Sequence, residues 1–197
     1  MFPLFASNRF DELIVAAISL LWIVPELILS RTRRPDPSAR ADDRFSGIVV
    51  VVCLWLGIAG AYASGFGERQ FTIEWHRTLL FLIGIVLMIA GLLGRWYSIR
   101  ALGKYFTVVV AIQPAHRIID VGPYHYVRHP SYSGALLTIF GFGLVFTNWL
   151  SLVSVVLIAA VGYGYRIAVE EKALLEALGE PYRQYMKRTR RIIPFVI

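Results

Sequence analysis

Residues 78–99 read TLLFLIGIVLMIAGLLGRWYSI. A bilayer core about 30 Å thick is crossed by about 20 mostly apolar residues in a helix, so a run of this length and composition predicts a membrane span. Working outward, similar runs lie at 13–29, 47–64, 133–146 and 149–165. The last two are short, and only Thr147 and Asn148 separate them, which predicts a tight helical hairpin. The expected fold is therefore all-α: a polytopic membrane protein with about five transmembrane helices, followed by a C-terminal helix and a ligand-binding segment on the cytoplasmic side. All 197 residues are read as one domain, with three N-terminal spans in 1–99 and a catalytic part in 100–197. The start of the chain lacks the basic region of a signal peptide and its first span runs into a charged loop, so that span is expected to be retained.

Composition agrees with lipid as part of the solvent. The chain is 57% hydrophobic with a mean hydropathy of +0.61, more than a water-soluble core of this size needs. Its net charge of +7 is spread beside the spans rather than gathered in one patch with interleaved aromatics, which points to contact with anionic lipid and not to nucleic acid. Arg9, Arg69 and Arg77 fall on one side of a five-span arrangement and the other 17 Lys and Arg on the opposite side. The positive-inside bias makes the latter side cytoplasmic and turns the N-terminus outward. The single Cys53 has no disulfide partner and reads as a small packing residue. Glycines at 84, 91, 94, 141, 143, 162 and 164 should let helix backbones approach closely. The segment 31–44, with Pro35 and Pro37, reads as a solvated loop without a functional signal.

Two polar segments on the cytoplasmic side hold the unusual residues: HRIIDVGPYHYVRHPSY at 116–132 and RIAVEE at 166–171. In the first, Gly122 and Pro123 mark a turn, and Pro130 opens the fourth helix, where its missing N–H costs nothing. Arg128 and His129 then precede a helix N-terminus, whose free N–H groups and positive dipole end suit an anionic part of a ligand. A basic juxtamembrane anchor with an aromatic belt of Tyr124, Tyr126 and Tyr132 is the plainer alternative. In the second segment Ile167, Leu174, Leu175 and Leu178 form an apolar stripe at 100° per residue, and Glu171 lies inside it. A carboxylate there requires a partner. Arg166 and Glu170 share a neighbouring face four residues apart, which also fits an ordinary salt bridge, although arginine ahead of glutamate is the weaker order. Gly179 and Pro181 should end this helix.

Several chemistries fail on the residue inventory. Four histidines are too few for a membrane di-iron oxygenase, and no HExxH run or third ligand supports a zinc hydrolase, so no metal site is expected. No glycine-rich dinucleotide loop occurs between a strand and a helix.

Over about 102–194 the sequence resembles the isoprenylcysteine carboxyl methyltransferase family, which shares its cofactor motif with membrane phospholipid N-methyltransferases. The resemblance rests on HRII at 116–119, GPY at 122–124, RHPSYSG at 128–134, Arg166 with Glu170 and Glu171, and LGEPY at 178–182 with Tyr185. The three N-terminal spans match only in hydropathy and placement. The resemblance implies a pocket for S-adenosyl-L-methionine at the cytoplasmic helix ends, open to the membrane for a lipidated or lipid acceptor. It carries cofactor contacts to His116, Arg117, Ile118, Ile119, Tyr124, His129, Pro130, Ser131, Tyr132 and Glu170, to which the helix-terminus argument adds Arg128. Acceptor binding and catalysis fall to Arg166. Two departures are visible: HRII stands where the family often ends in leucine-valine, and the segment between Phe106 and His116 looks shorter than in eukaryotic members.

The implied reaction is O-methylation of an isoprenylated cysteine carboxylate or a similar lipidated carboxylate. No general base is needed for a carboxylate; an amine acceptor would need one, with Glu171 or His129 as candidates. Phospholipid N-methylation and S-methylation of a small thiol stay open as alternatives within the enzyme class. Membrane sterol reductases with a similar RHPxYxG string imply a nicotinamide cofactor, but are longer and often carry an acid at the position of Ala135. A non-catalytic membrane subunit or transporter is the alternative from another class. The expected location is an integral membrane protein with its site at the cytoplasmic face, of the inner membrane in a bacterium or the endoplasmic reticulum in a eukaryote.

Overall fold

The computed structural model describes residues 3–33, 40–43, 45–67, 69–112 and 117–193. Among these described residues six α-helices follow in order: α1 (Arg9–Thr32), α2 (Ser46–Gly67), α3 (Arg77–Leu102), α4 (Pro130–Val145), α5 (Trp149–Leu178) and α6 (Glu180–Arg188). Local chemistry sets their ends. The Asn8 side chain accepts from the Phe10 N–H and Asp11 and Glu12 occupy the first turn of α1. Asn148 caps α5 by accepting from the Ser151 N–H, and Pro130 is the first residue of α4. Gly179, at φ 59°, ends α5 by donating to the Leu175 carbonyl, and α6 begins at once with Pro181 in its first turn. The expected fifth span and the helix after it are thus one continuous helix of 30 residues. α1, α2, α3 and α5 are long and apolar enough to cross a membrane. α4, with 16 residues, extends about 24 Å at 1.5 Å per residue.

One element lies outside the all-helical expectation. β1 (Arg40–Asp43), in the loop read as solvated, pairs antiparallel with β2 (Val110–Ile112). The β-branched Val110 and Ile112 favour an extended backbone, yet neither strand is long enough to show a period in sequence.

α3 and α4 run antiparallel along a glycine seam. A Cβ added at Gly91 would lie 2.6 Å from the Gly134 carbonyl oxygen, one at Gly134 2.6 Å from the Arg95 nitrogen, and one at Gly141 2.5 Å from the Gly84 carbonyl oxygen. Real Cβ atoms do not approach so closely, so these backbones touch only because the side chains are absent. α2 and α5 pack less tightly: Gly57 faces Val155 at 3.3 Å, and Gly162 receives Cys53 at 2.9 Å. Gly94 and Gly164 meet nothing within 4 Å and take no part in either seam. The outer faces of these helices expose Leu21, Trp55, Val86 and Val161, as helices solvated by lipid do.

Contacts at the two ends show that successive helices alternate in direction. At one end the Ile73 N–H donates to the Thr147 carbonyl at 2.9 Å, Ser151 Oγ donates to the Ala61 carbonyl at 2.7 Å, and Phe5 meets Phe66 and Phe146, and Tyr62 meets Phe146, edge to face. At the other end the Arg33 carbonyl accepts from the Val108 N–H at 3.3 Å and Ser46 meets Arg166. The C-terminus of α1, the N-terminus of α2, the C-terminus of α3, the first turn of α4 and the second half of α5 therefore gather at one end. That end carries both polar segments.

Candidate active site

A cavity opens among these helix ends. Phe106, Val110 and Ala111 form one wall with Ile118 and Ile119; Leu174 and Leu178 of α5 and Tyr182 and Tyr185 of α6 form another. Of the residues expected at a site, Arg117, Ile118, Ile119, Tyr124, Arg128, His129, Ser131, Tyr132, Arg166 and Glu170 line it. Pro130 and Glu171 do not. His116 lies outside the described residues.

The first turn of α4 differs from the expectation of several free N–H donors. The Arg128 N–H donates to the Arg190 carbonyl at 2.7 Å and the His129 N–H to the Arg191 carbonyl at 3.0 Å, while the Arg190 N–H donates back to the Tyr126 carbonyl at 3.0 Å. The C-terminal tail thus adds as a short parallel bridge and takes the donors just ahead of the helix. Residues more than 60 positions apart in sequence give no local sign of this pairing. The Arg128 side chain is committed in the same direction: Nε donates to Glu171 Oε1 at 2.8 Å and Nη1 to the Thr189 carbonyl at 2.5 Å.

Glu171 has the partners its place in an apolar stripe requires. Oε1 accepts from Arg128, and Oε2 accepts from Arg191 Nε at 3.0 Å and Nη2 at 2.9 Å. Its carboxylate is buried behind His129, whose Nε2 lies 3.4 Å from Oε1. Glu171 joins α5, the α4 approach and the tail, and both of its oxygens are occupied.

The ordinary salt bridge between Arg166 and Glu170 is replaced by a longer arrangement. Arg166 Nε donates to the Tyr132 hydroxyl oxygen at 2.8 Å, and that hydroxyl donates its proton to Glu170 Oε2 at 2.7 Å. The Tyr132 ring stacks on the His129 imidazole at 5.5 Å and 9°. Arg166 also donates from Nη1 to Ser46 Oγ at 3.2 Å and from Nη2 to the Val108 carbonyl at 2.6 Å. Among the described residues, three of the five guanidinium N–H groups are accounted for, all by neutral acceptors, and two remain. On the far wall, burial and then the nearby carboxylates raise the Tyr124 and Tyr182 phenols above the ordinary tyrosine range; burial and Asp120 do the same for Tyr185. All three stay neutral, and the Tyr185 hydroxyl donates to the Tyr124 carbonyl at 2.6 Å.

Sequence reasoning missed four contributors. Arg95 and Glu26 carry a signal that would have found them, a charge inside an apolar span. Arg95 donates to Glu26 through Nε at 2.5 Å and Nη2 at 2.8 Å, and through Nη1 to Ser131 Oγ at 2.7 Å. Ser46 and the Val108 carbonyl have no sequence signal, because a serine before a span and a loop carbonyl are ordinary.

Residues 82–176 match the model of the isoprenylcysteine carboxyl methyltransferase (ICMT) family. A probable protein-S-isoprenylcysteine O-methyltransferase of Oryza sativa subsp. indica is 32% identical over 116 residues, which are 58% of this chain and 61% of the rice protein. The protein-S-isoprenylcysteine O-methyltransferase of Saccharomyces cerevisiae is 32% identical over 130 residues, 65% of this chain and 54% of the yeast protein. The chain therefore spans about three fifths, or less, of the length of these relatives. The solved eukaryotic intramembrane Ras methyltransferase ICMT shares the fold, with a TM-score of 0.60 at 24% identity over 76% of this chain and 52% of that one. The match begins within α3, whose glycine seam holds α4, and ends in α5 just beyond Glu170 and Glu171, so it takes in the arginine, tyrosine and glutamate of the cavity. Through this α3-to-α5 module, the chain, whose long apolar helices are those of an integral membrane protein, is similar to the isoprenylcysteine carboxyl methyltransferase family.

Proposed function

We propose that the chain is an S-adenosyl-L-methionine-dependent methyltransferase that esterifies the carboxylate of an isoprenylated cysteine, or of a similar lipidated acceptor, reached from the bilayer. The observation that carries this reading is Arg166: a buried guanidinium on the cavity wall that, among the described residues, is held by neutral acceptors alone and has two N–H donors left for an anion.

The residues present fit the cofactor. Glu170 engages Tyr132 through Oε2 and, among the described residues, has no hydrogen bond on its other oxygen, which suits a cationic amino group, while Ile118, Ile119 and Leu174 offer an apolar surface to a purine. Tyr124, His129, Ser131 and Tyr132 complete that side, Arg117 lies at its rim, and Arg128 and Pro130 hold the turn that presents them. When bound, the cofactor would supply an electrophilic methyl group on a cationic sulfur that takes back the carbon–sulfur electron pair, so an ionised carboxylate acceptor would need no base. Arg166 orients the acceptor carboxylate and the apolar walls keep water away from it, which leaves alignment as the main contribution of the protein. An amine acceptor must lose a proton; of the two candidate bases, Glu171 has both oxygens taken by guanidinium groups, and His129 is stacked on Tyr132 with Nε2 turned to Glu171 at 3.4 Å, so neither is well arranged to receive it. That favours a carboxylate over a phospholipid amine or a thiol.

The site is assigned to the cytoplasmic face, with five spans and an outward N-terminus, on the basic bias of that end. Arg95 is buried rather than facing a leaflet, and the bias survives its removal from the count. Cysteines at exposed Ser7 and Gln184, in a Cys53→Ala background, should react with an impermeant reagent from opposite sides; labelling of both from one side would remove this topology. The activity itself is tested by incubating purified protein with radiolabelled S-adenosyl-L-methionine and prenylcysteine, phospholipid or thiol acceptors. Base-labile label in the prenylcysteine product is the expected result, and label only in the phospholipid would overturn it.

A further inference from the structure

Arg95 is 7% exposed, and its whole fork is engaged: two nitrogens on Glu26 of α1 and the third on Ser131, where Nη1 reaches both Oγ at 2.7 Å and the carbonyl at 3.2 Å. The Arg95 backbone also sits against Gly134, so the same residue braces α4 one turn further on. Ser131 precedes Tyr132, whose hydroxyl is the only link between Arg166 and Glu170 among the described residues. α1 contributes no residue to the cavity wall, and it lies outside the part of the chain that matches the family. Glu26 nevertheless touches the residue that holds the cavity's helix.

We propose that Glu26 and Arg95 are positioning residues that fix the first turn of α4 from behind and so set the Tyr132 hydroxyl between Arg166 and Glu170. The inference rests on the methyltransferase reading of the cavity. A lysine at 95 could neutralise Glu26 but cannot reach Glu26 and both Ser131 oxygens at once, because an ammonium is a point charge and a guanidinium a planar fork. Packing α1 against the bundle is thereby converted into order at a turn that faces a ligand.

A pair that only neutralises charge predicts something different. Replacing both members of a buried ion pair by apolar residues of similar size is often neutral for stability, so Glu26→Met/Arg95→Met should then restore everything. The test uses the full chain in lipid nanodiscs with three measurements: the unfolding midpoint, amide exchange at Tyr132 and Ser133, and calorimetric binding of S-adenosyl-L-methionine. The double variant should keep its midpoint within a few degrees, while exchange at these amides accelerates about tenfold or more and cofactor affinity falls about tenfold. Wild-type exchange and affinity with a recovered midpoint would overturn the proposal. Should the double variant fail to fold, Arg95→Lys, which keeps the charge beside Glu26, should show the same accelerated exchange at a near-normal midpoint; unchanged exchange there would also overturn it. Failure of the wild-type protein to bind the cofactor would count against the functional reading alone, since the exchange measurement still decides the role of the pair.

Discussion

Arg95 and Arg166 are buried to the same degree, 7% and 6% exposed, on helices that meet the same end of the bundle, and they are neutralised in opposite ways. Arg95 lies in a two-nitrogen grip on a carboxylate and spends its remaining nitrogen on Ser131. Among the described residues, Arg166 has a hydroxyl, a second hydroxyl and a carbonyl, and the carboxylate of Glu170 stands one tyrosine hydroxyl away. Hydrogen bonds to neutral oxygens satisfy donors without cancelling charge. An arginine of the first kind holds helices together. One of the second kind keeps its attraction for an anion that arrives later, and the neutral ring around it holds the guanidinium still meanwhile.

The comparison breaks most sharply at Arg166. Arg166→Ala should cost about 2 to 4 kcal/mol in acceptor kcat/KM, because it removes both binding and alignment, while cofactor affinity changes much less. Glu170→Gln should show the reverse, with cofactor binding weakened first. Calorimetry of the cofactor beside acceptor titrations reads both variants, and matching defects in the two ligands would dissolve the division of roles. Next in size is Arg95→Ala, which strands Glu26 among apolar helices. The loss of a partner in a fully buried pair costs about 3 to 5 kcal/mol, and the partial exposure of Glu26 puts this one nearer to about 2 to 3. Equilibrium unfolding should show that loss for Arg95→Ala and about 1 kcal/mol for Arg166→Ala; equal losses would mean that the two arginines do the same work.

Tyr132→Phe sharpens the contrast at a smaller scale. It removes the hydroxyl that joins Arg166 to Glu170, at about 1 to 1.5 kcal/mol, and the defect should appear in both ligands' affinities. In a double-mutant cycle with Glu170→Gln the two changes should be far from additive. The smallest effect concerns pH. A carboxylate acceptor with a pKa near about 4 is already ionised at neutrality, so turnover should change by less than about twofold between about pH 6 and 8. A rate that climbs with pH as one acceptor proton is lost would instead indicate an amine, for which the spare charge on Arg166 would be of no use.

The legible parts of the molecule were those written in local pattern. Long apolar runs announced the helices, Pro130 and Gly179 marked the ends that the structure shows, and Glu171 stood out because an apolar stripe cannot hold a lone carboxylate. Family resemblance drew attention to Arg166, Glu170 and Tyr132 without saying how they touch. The i, i+4 spacing of Arg166 and Glu170 suggested a direct pair, and a tyrosine from another helix intervened.

Hydropathy, helix punctuation and the sign of the loops are sums over neighbours along the chain, so the sequence by itself determined that this is a helical membrane protein and which segments share an end. Partner choice depends on distances between residues far apart in sequence. Only the tertiary structure decided that Glu171 belongs to Arg128 and Arg191, that the tail takes the N–H groups ahead of α4, and that Glu26 belongs to Arg95. The physical reason is packing: the α3/α4 glycine seam sets the depth at which Ser131 and Tyr132 meet their neighbours, and hydrogen bonds, which fade within a few tenths of an ångström, then select among the polar groups within reach.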